Sequence, residues 1–194
     1  MAHYANRPFK SLTMAVAPTV AHILDGRFPK SGRPSFREVF GLKRSDTFYA
    51  FENPDVSVKK SVLYFPGCGS ERMFTDIAFA SIAMLYQKGI RVVVPPDYLC
   101  CGYPLKANGK KEQAEQKTYE NSVIFHRMAE TVSYMNIRDI LVSCGTCHEM
   151  LCSYRLEDIF WDSTIVDVNE FLVRENLVDV AQQKGPRVRA RSGT

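Results

Sequence analysis

Short β-branched and apolar runs alternating with stretches of helical spacing constrain this chain more than any other feature. Ser61 to Phe65 is such a run, closed by Pro66-Gly67, and Phe74, Ile77, Ala78, Ser81, Met84 and Leu85 follow at helical spacing up to a stop at Gly89, with Phe74, Ile77, Met84 and Leu85 expected in the core. Arg91 to Val94 is halted by Pro95-Pro96; Lys110 to Asn136 then reads as a long helix, polar early and apolar later through Val123, Ile124, Met128 and Val132. Ile140 to Val142 predicts a third strand, Cys147 to Phe160 a third helix, and Thr164 to Val168 a fourth strand. Asn169 is the expected cap of a final helix holding Phe171, Leu172 and Val173. Strands that alternate with helices close into a parallel sheet through right-handed crossovers. The expected fold is therefore α/β, a parallel sheet of about four strands flanked by helices.

Residues 1–60 read differently. Pro8, Pro18, Pro29, Pro34 and Pro54 break the pattern and leave room for one short helix, begun by Pro18 and stopped near Gly26. This segment is expected to be an irregular proline-rich connector or docking arm, since so long a lead-in is unusual for a compact domain. Residues 61–180 then form the single α/β domain and 181–194 a basic disordered tail. That tail accounts for the net charge of +4: Lys184, Arg187, Arg189 and Arg191 carry no acid among them, and without these four the chain has 21 bases against 21 acids. A nucleic-acid surface requires a basic face on the fold itself, so no nucleic-acid partner is expected. No run of about eighteen apolar residues predicts a transmembrane segment. Leu12 to Ala21, interrupted by Thr13, Pro18 and Thr19, makes a poor signal peptide, so the expected location is cytoplasmic, with peripheral attachment to the cytoplasmic membrane left open through the basic tail.

Six cysteines are too few for a disulfide scaffold, and clustered thiols in a reducing compartment point to metal or redox chemistry. Cys68 follows the first strand, Cys100-Cys101-Gly102 lies after the second, Cys144 closes the third, and Cys147 opens the next helix. Ligands of parallel sheets sit beyond the carboxyl ends of the strands. Five thiols, separated in sequence by stretches of 31 and 42 residues, are thereby expected on one edge. Thiolate is the soft, anionic ligand that iron–sulfur clusters take. Adjacent Cys100 and Cys101 cannot easily chelate one metal through a tight ring, which favours a site with several irons. Gly67, Gly69, Gly102 and Gly145 leave the backbone near the sulfurs unencumbered, and helix starts after Ser70 and near Cys147 are expected to aim N–H groups at a negatively charged cluster.

The series Pro66-Gly67-Cys68, Cys100-Cys101-Gly102 and Ser143-Cys144-Gly145-Thr146-Cys147 resembles the cysteine-rich CCG domain, over roughly residues 60–175. That domain is found in the cysteine-rich subunit of heterodisulfide reductase, in the iron–sulfur subunits of glycolate, lactate and anaerobic glycerol-3-phosphate dehydrogenases, and in fused flavin and iron–sulfur oxidoreductases. The resemblance implies a 4Fe-4S cluster, of the noncubane kind in the heterodisulfide reductase relative, on Cys68, Cys100, Cys101, Cys144 and Cys147. It implies an electron-transfer subunit or domain of a flavin-linked oxidoreductase, passing electrons to a quinone or a thiol/disulfide acceptor. Family members usually hold two CCG motifs in succession; here there is one, and the interval from Cys101 to Cys144 is several residues longer than usual for the type. Neither a ferredoxin cysteine run nor a GxGxxG fingerprint is present, so FAD and relay clusters are expected on partners, namely a flavin dehydrogenase, ferredoxin-type iron–sulfur subunits or domains, and a second CCG half.

Other readings of the same residues compete. Cys144-Gly145-Thr146-Cys147-His148 matches the c-type haem attachment pattern, and Cys144 with Cys147 alone would make a thioredoxin-like dithiol, but both leave Cys68, Cys100 and Cys101 unexplained. Zinc on four of the five thiols is the principal rival, giving a zinc- or cluster-stapled assembly module without redox turnover. Five thiols packed as small hydrophobes is the plainest alternative. Cys152 is expected to be a half-buried helix residue, His148 a solvated side chain at a helix start, His126 structural, and Tyr98 and Tyr103 core residues flanking the doublet.

Overall fold

The computed structural model describes residues 34–42, 47–96 and 99–178. Its strands are β1 (Tyr49–Phe51), β2 (Lys60–Phe65), β3 (Ile90–Val94), β4 (Asp139–Val142) and β5 (Thr164–Asp167). Helix α1 (Phe36–Phe40) precedes them. A π-helical turn (Gly69–Met73) and α2 (Thr75–Gln87) link β2 to β3, while α3 (Tyr103–Ala107), α4 (Lys111–Thr131) and a 3₁₀ turn (Ser133–Met135) link β3 to β4. Helices α5 (Gly145–Cys152) and α6 (Leu156–Ile159) lead to β5, and α7 (Val168–Arg174) follows it.

The strands join in the order β1-β3-β2-β4-β5, with β1 antiparallel to β3 and every other pair parallel. Period-two alternation divides the core into two layers. Val62, Tyr64, Val92, Val94 and Leu141 face α1, α2 and α7, where Phe36, Ile82, Leu85 and Phe171 meet them. Leu63, Phe65, Val93, Ile140 and Val142 face α4, α5 and α6, against Phe125, Met128, Leu151 and Leu156. The β2-to-β3 and β3-to-β4 connections thus cover opposite faces, so the winding direction reverses between β2 and β4. At the other end of these strands, buried Asp139 is held by Arg174 and by Lys60 at 3.2 Å, and Lys60 reaches Glu175 at 2.9 Å.

The four expected parallel strands form, and a fifth joins them from the segment read as an arm. That part of the lead-in belongs to the core: Phe36, Phe40, Leu42 and Phe51 are buried. The Phe40 ring packs tilted against Phe36 at 4.9 Å and Phe79 at 5.1 Å and edge-on against Phe51 at 4.8 Å. Ser35 starts α1 with a capping box shared with Glu38, and Gly41, left-handed at φ 66°, ends it. Reading the prolines as continuous irregularity hid this, because a five-residue helix and a three-residue strand are too short to show a period. The helix expected near Pro18 and the basic tail lie outside the described residues.

Several local expectations need correcting. The stretch 147–160 is two helices, α5 beginning at Gly145 and ending at Cys152, with left-handed Arg155 (φ 53°) between it and α6. Asp167, not Asn169, caps α7, its carboxylate accepting from the Asn169 N–H. The long helix ends at Thr131. On α2 the buried stripe is Ala78, Phe79, Ile82, Leu85 and Tyr86, with Met84 half-buried, whereas Phe74 and Ile77 are 48% and 42% exposed. At 100° per residue, Ile77 falls outside the arc that Ala78, Ile82 and Leu85 turn to the sheet. Among the described residues no helix is long and apolar enough to cross a membrane.

If α1 is part of the core, Phe36→Ala will lower the unfolding free energy by about 3–5 kcal/mol in urea titrations. Trp161→Ala, at a site 86% exposed, is expected to stay within about 0.5 kcal/mol.

Candidate metal centre

Three loops leave the carboxyl edge of the sheet with the cysteines. Strand β2 ends at Phe65, and Pro66-Gly67 carries the chain to Cys68; β3 ends at Val94 and leads through Pro95-Pro96 to Cys100-Cys101; β4 ends at Val142 and passes Ser143 to Cys144. Phe65 is the register partner of Val142, so the Cys68 and Cys144 loops leave side by side at the point where the winding reverses. In open α/β sheets that crevice is where ligands bind. Because β3 pairs with the other side of β2, it brings the doublet to the same place.

The five predicted thiols come together there. Cys147 donates to Cys101 at 3.5 Å between sulfurs, Cys100 interacts with both Cys101 and Cys68, and Cys144 interacts with Cys147. Cys101 and Cys147 are buried, Cys68, Cys100 and Cys144 are half-buried, and all are free thiols. Packing at the mouth of the site is close: a Cβ on Gly67, whose φ is +62°, would stand 2.7 Å from the Cys147 sulfur. Gly102 after the doublet is also left-handed, at φ +86°. The sulfurs touch pairwise, and among the described residues no three Cys, His, Asp or Glu side chains ring a single point as ligands of one metal ion do.

Their electrostatics follow from the crowding. Burial, with the neighbouring Cys100, raises the Cys68 thiol. The Cys101 thiol, with burial added, holds Cys100 well above the ordinary thiol range. Cys101 itself is pushed up to about 12, because the opposing effect of Cys100 is outweighed by Cys147 and burial. Cys144 goes the other way. Burial opposes its ionisation, yet the Thr146 hydroxyl at 3.1 Å and the N–H groups of Cys147 and Thr146 lower it. This is the expected effect of a helix start, placed at Cys144 by α5. The start expected after Ser70 is instead the π-helical turn beginning at Gly69.

Each loop is tied down by polar groups that sequence reasoning did not single out. Ser143 and Ser70 join hydroxyls at 2.8 Å, and Ser143 also meets the buried Tyr64 hydroxyl at 2.9 Å, linking the Cys144 and Cys68 loops. Arg37 of α1 donates to the carbonyls of Pro95 and Pro96, both at 3.0 Å, and pairs with buried Glu71 at 3.4 Å, joining the Cys68 loop to the approach to the doublet. On the far side, buried Asn121 donates to the Cys100 carbonyl at 2.8 Å and to the Tyr154 hydroxyl at 3.0 Å, and Tyr154 donates to the Cys101 carbonyl at 2.9 Å. Asn121 had a signal: it interrupts the buried stripe Ala114, Phe125 and Met128 of α4, and a polar side chain on an apolar stripe needs a partner. Arg37, Glu71 and Tyr154 had none, because their partners are distant in sequence.

The remaining candidates stand apart. Cys152 is exposed, 4.0 Å from His148 Nδ1. His148 is half-buried rather than solvated, its Nε2 lying 3.3 Å from the Ile165 carbonyl. His126 is exposed on α4 and supports no packing. Tyr103 is partly buried against the layer beneath the site; Tyr98 lies outside the described residues.

Residues 62–152, the stretch that holds all six cysteines, match the CCG family, described as a cysteine-rich domain. The chain is 26% identical over 121 residues to an uncharacterized iron–sulfur protein of Methanococcus maripaludis, covering 62% of this chain and 22% of that protein. It is 26% identical over 137 residues to an uncharacterized iron–sulfur protein of Methanocaldococcus jannaschii, covering 71% and 25%. It is 26% identical over 97 residues to a probable glycolate oxidase iron–sulfur subunit of Bacillus subtilis, covering 50% and 20%. The chain thus spans a quarter or less of the length of these relatives. No solved structure matches it. The three loops that meet at one sheet edge all lie within the segment 62–152, which matches the CCG family of cysteine-rich domains.

Proposed function

We propose that this chain is an iron–sulfur electron-transfer domain of a flavin-linked oxidoreductase, with Cys68, Cys100, Cys101, Cys144 and Cys147 as cluster ligands. The observation that carries the reading is the meeting of five free thiols from three strand ends at the reversal point of the sheet. The donor set fits such a group. Thiolates are its ligands, and a close-packed shell with N–H groups at the start of α5 suits a negatively charged centre. The names of the relatives, two iron–sulfur proteins and a glycolate oxidase iron–sulfur subunit, support the same assignment.

When bound, the cluster supplies one-electron redox chemistry; the chain's own residues hold and shield it. Cys101 and Cys147 sit on the buried side, backed by Phe125 and Leu151, and Cys68, Cys100 and Cys144 close the side nearer solvent. Adjacent Cys100 and Cys101 point to a polynuclear 4Fe-4S group, and we extend this to the noncubane form. The electron donor in this reading is a flavin dehydrogenase partner, reached through ferredoxin-type iron–sulfur subunits or domains, with FAD bound there and a quinone or a thiol/disulfide compound as acceptor. A second CCG half completes the assembly. A relay role is favoured over direct substrate reduction, because the described polar side chains at the site hold its own loops: Arg37 donates to the Pro95 and Pro96 carbonyls and pairs with Glu71, and Asn121 and Tyr154 hold the doublet. A reducing compartment, which keeps the thiols free, is the location that suits this chemistry.

Anaerobically purified protein is expected to show broad visible absorption, with iron and acid-labile sulfide in similar amounts; a colourless chain with stoichiometric zinc would refute the redox role and leave a metal-stapled assembly module. Cys100→Ser and Cys101→Ser are each expected to abolish the cluster signal in electron paramagnetic resonance, and Cys152→Ser to retain it in full. Gly67→Ala, which sets a methyl group against the Cys147 sulfur in a left-handed conformation, is expected to lower metal-free stability by at least about 1–2 kcal/mol in urea titrations and to reduce iron content.

A further inference from the structure

We propose that Asn121 and Tyr154 are positioning residues that set the direction of the Cys100-Cys101 sulfurs by fixing the two peptide planes on either side of Cys101. The inference rests on the reading above, in which the doublet holds the cluster, and adds residues outside the cysteine motifs to the site.

The geometry is closed on itself. Asn121, 1% exposed, uses its side-chain amide nitrogen for both the Cys100 carbonyl (2.8 Å) and the Tyr154 hydroxyl (3.0 Å). Tyr154 passes its own hydrogen to the Cys101 carbonyl at 2.9 Å. Rotating the amide by half a turn would set its oxygen against the Cys100 carbonyl, so only one orientation satisfies all four polar groups. The Cys100 carbonyl belongs to the peptide unit before Cys101 and the Cys101 carbonyl to the unit after it. Holding both restrains rotation on either side of the Cys101 Cα, so the Cα–Cβ bond that carries the sulfur starts from a set direction. Gly102, at φ +86°, lets the chain turn away without disturbing this.

Both anchors sit in the packed layer. Asn121 stands on α4 one turn before Phe125, and the Tyr154 ring meets Phe125 edge-on at 6.3 Å, so the clamp moves only if that layer moves. The doublet is the arm that most needs such fixing. Two neighbouring residues must present sulfurs in different directions, Cys101 towards Cys147 and Cys100 towards Cys68, and a freely rotating backbone would average those directions.

The test uses the full chain, loaded anaerobically with iron and sulfide, as Tyr154→Phe, Asn121→Leu and a control, Tyr119→Phe, on the exposed face of α4. Iron loss to a chelator and the electron paramagnetic resonance line positions are measured beside thermal unfolding. Tyr154→Phe keeps the ring and its packing while removing the hydroxyl; it is expected to shift the resonance lines and speed iron loss by roughly tenfold, the worth of about one hydrogen bond. The control is expected to match the wild type. Should Asn121→Leu fail to fold, Tyr154→Phe decides alone. Wild-type lines and wild-type iron loss in Tyr154→Phe would overturn the proposal, including the case in which only its melting temperature falls. A wild-type chain that takes up neither iron nor sulfide would instead overturn the electron-transfer reading, and this inference with it.

Discussion

Parallel pairing of β2 with β4 is the constraint on which the rest of the molecule depends. The chain reaches β4 only after winding out to β3 and back over the opposite face, so its first and third cysteine loops emerge from adjacent strand ends. Had β4 added beyond β3 instead, the Cys144 loop would stand a further strand spacing of about 4.8 Å from Cys68, with the doublet between them. The reversal of winding opens the crevice, and the cysteines line it.

The crevice is built mainly from backbone carbonyls and short polar side chains. Loops that leave a sheet edge carry peptide groups with no ladder partner, and buried ones must find another. Here the carbonyls of Pro95 and Pro96 are both met by Arg37 of α1, that of Cys100 by Asn121 of α4 and that of Cys101 by Tyr154 after α5. Polar satisfaction and sulfur placement are therefore the same problem. This also explains why part of the lead-in is integral: Arg37 brings α1 to the doublet's approach, and Phe36 and Phe40 hold α1 on the sheet. The two ends of the sheet are chemically distinct as a result. Charged Lys60, Asp139, Arg174 and Glu175 close the amino-terminal edge, while the carboxyl edge gathers thiols and hydroxyls beside the Arg37–Glu71 pair, a setting suited to a metal–sulfur group.

Crowding of the thiols has a physical meaning beyond proximity. The contacts among the thiols act in both directions, Cys101 raising Cys100 whereas Cys100 lowers Cys101 and Cys147 raises it, and burial raises Cys68, Cys100 and Cys101 alike. Cys144 escapes through the N–H groups at the start of α5. Metal ions would supply the positive charge that stabilises these sulfurs as thiolates, which is why the donor chemistry and a metal–sulfur group suit each other.

The α/β class, the four parallel strands and the placing of Cys68, Cys100, Cys101 and Cys144 after strand ends, with Cys147 at the start of the next helix, were legible in the sequence. Each follows from local periodicity: a run such as Val62–Phe65 or Val92–Val94 is apolar throughout because both of its faces are buried. What lay beyond it were relations between distant segments. The order of the strands, the addition of Tyr49–Phe51 at the edge and the docking of Phe36 and Phe40 depend on pairings that no local window contains. The outward turn of Phe74 and Ile77 depends on which arc of α2 the sheet takes up. The anchoring of the doublet by Asn121 and Tyr154 joins residues 21 to 53 positions apart, and whether such side chains meet is decided by how the helices pack. Sequence determined which atoms have the chemistry to hold a metal; tertiary structure decided that they meet, because hydrophobic pattern records whether a residue is buried and not which residue lies against it.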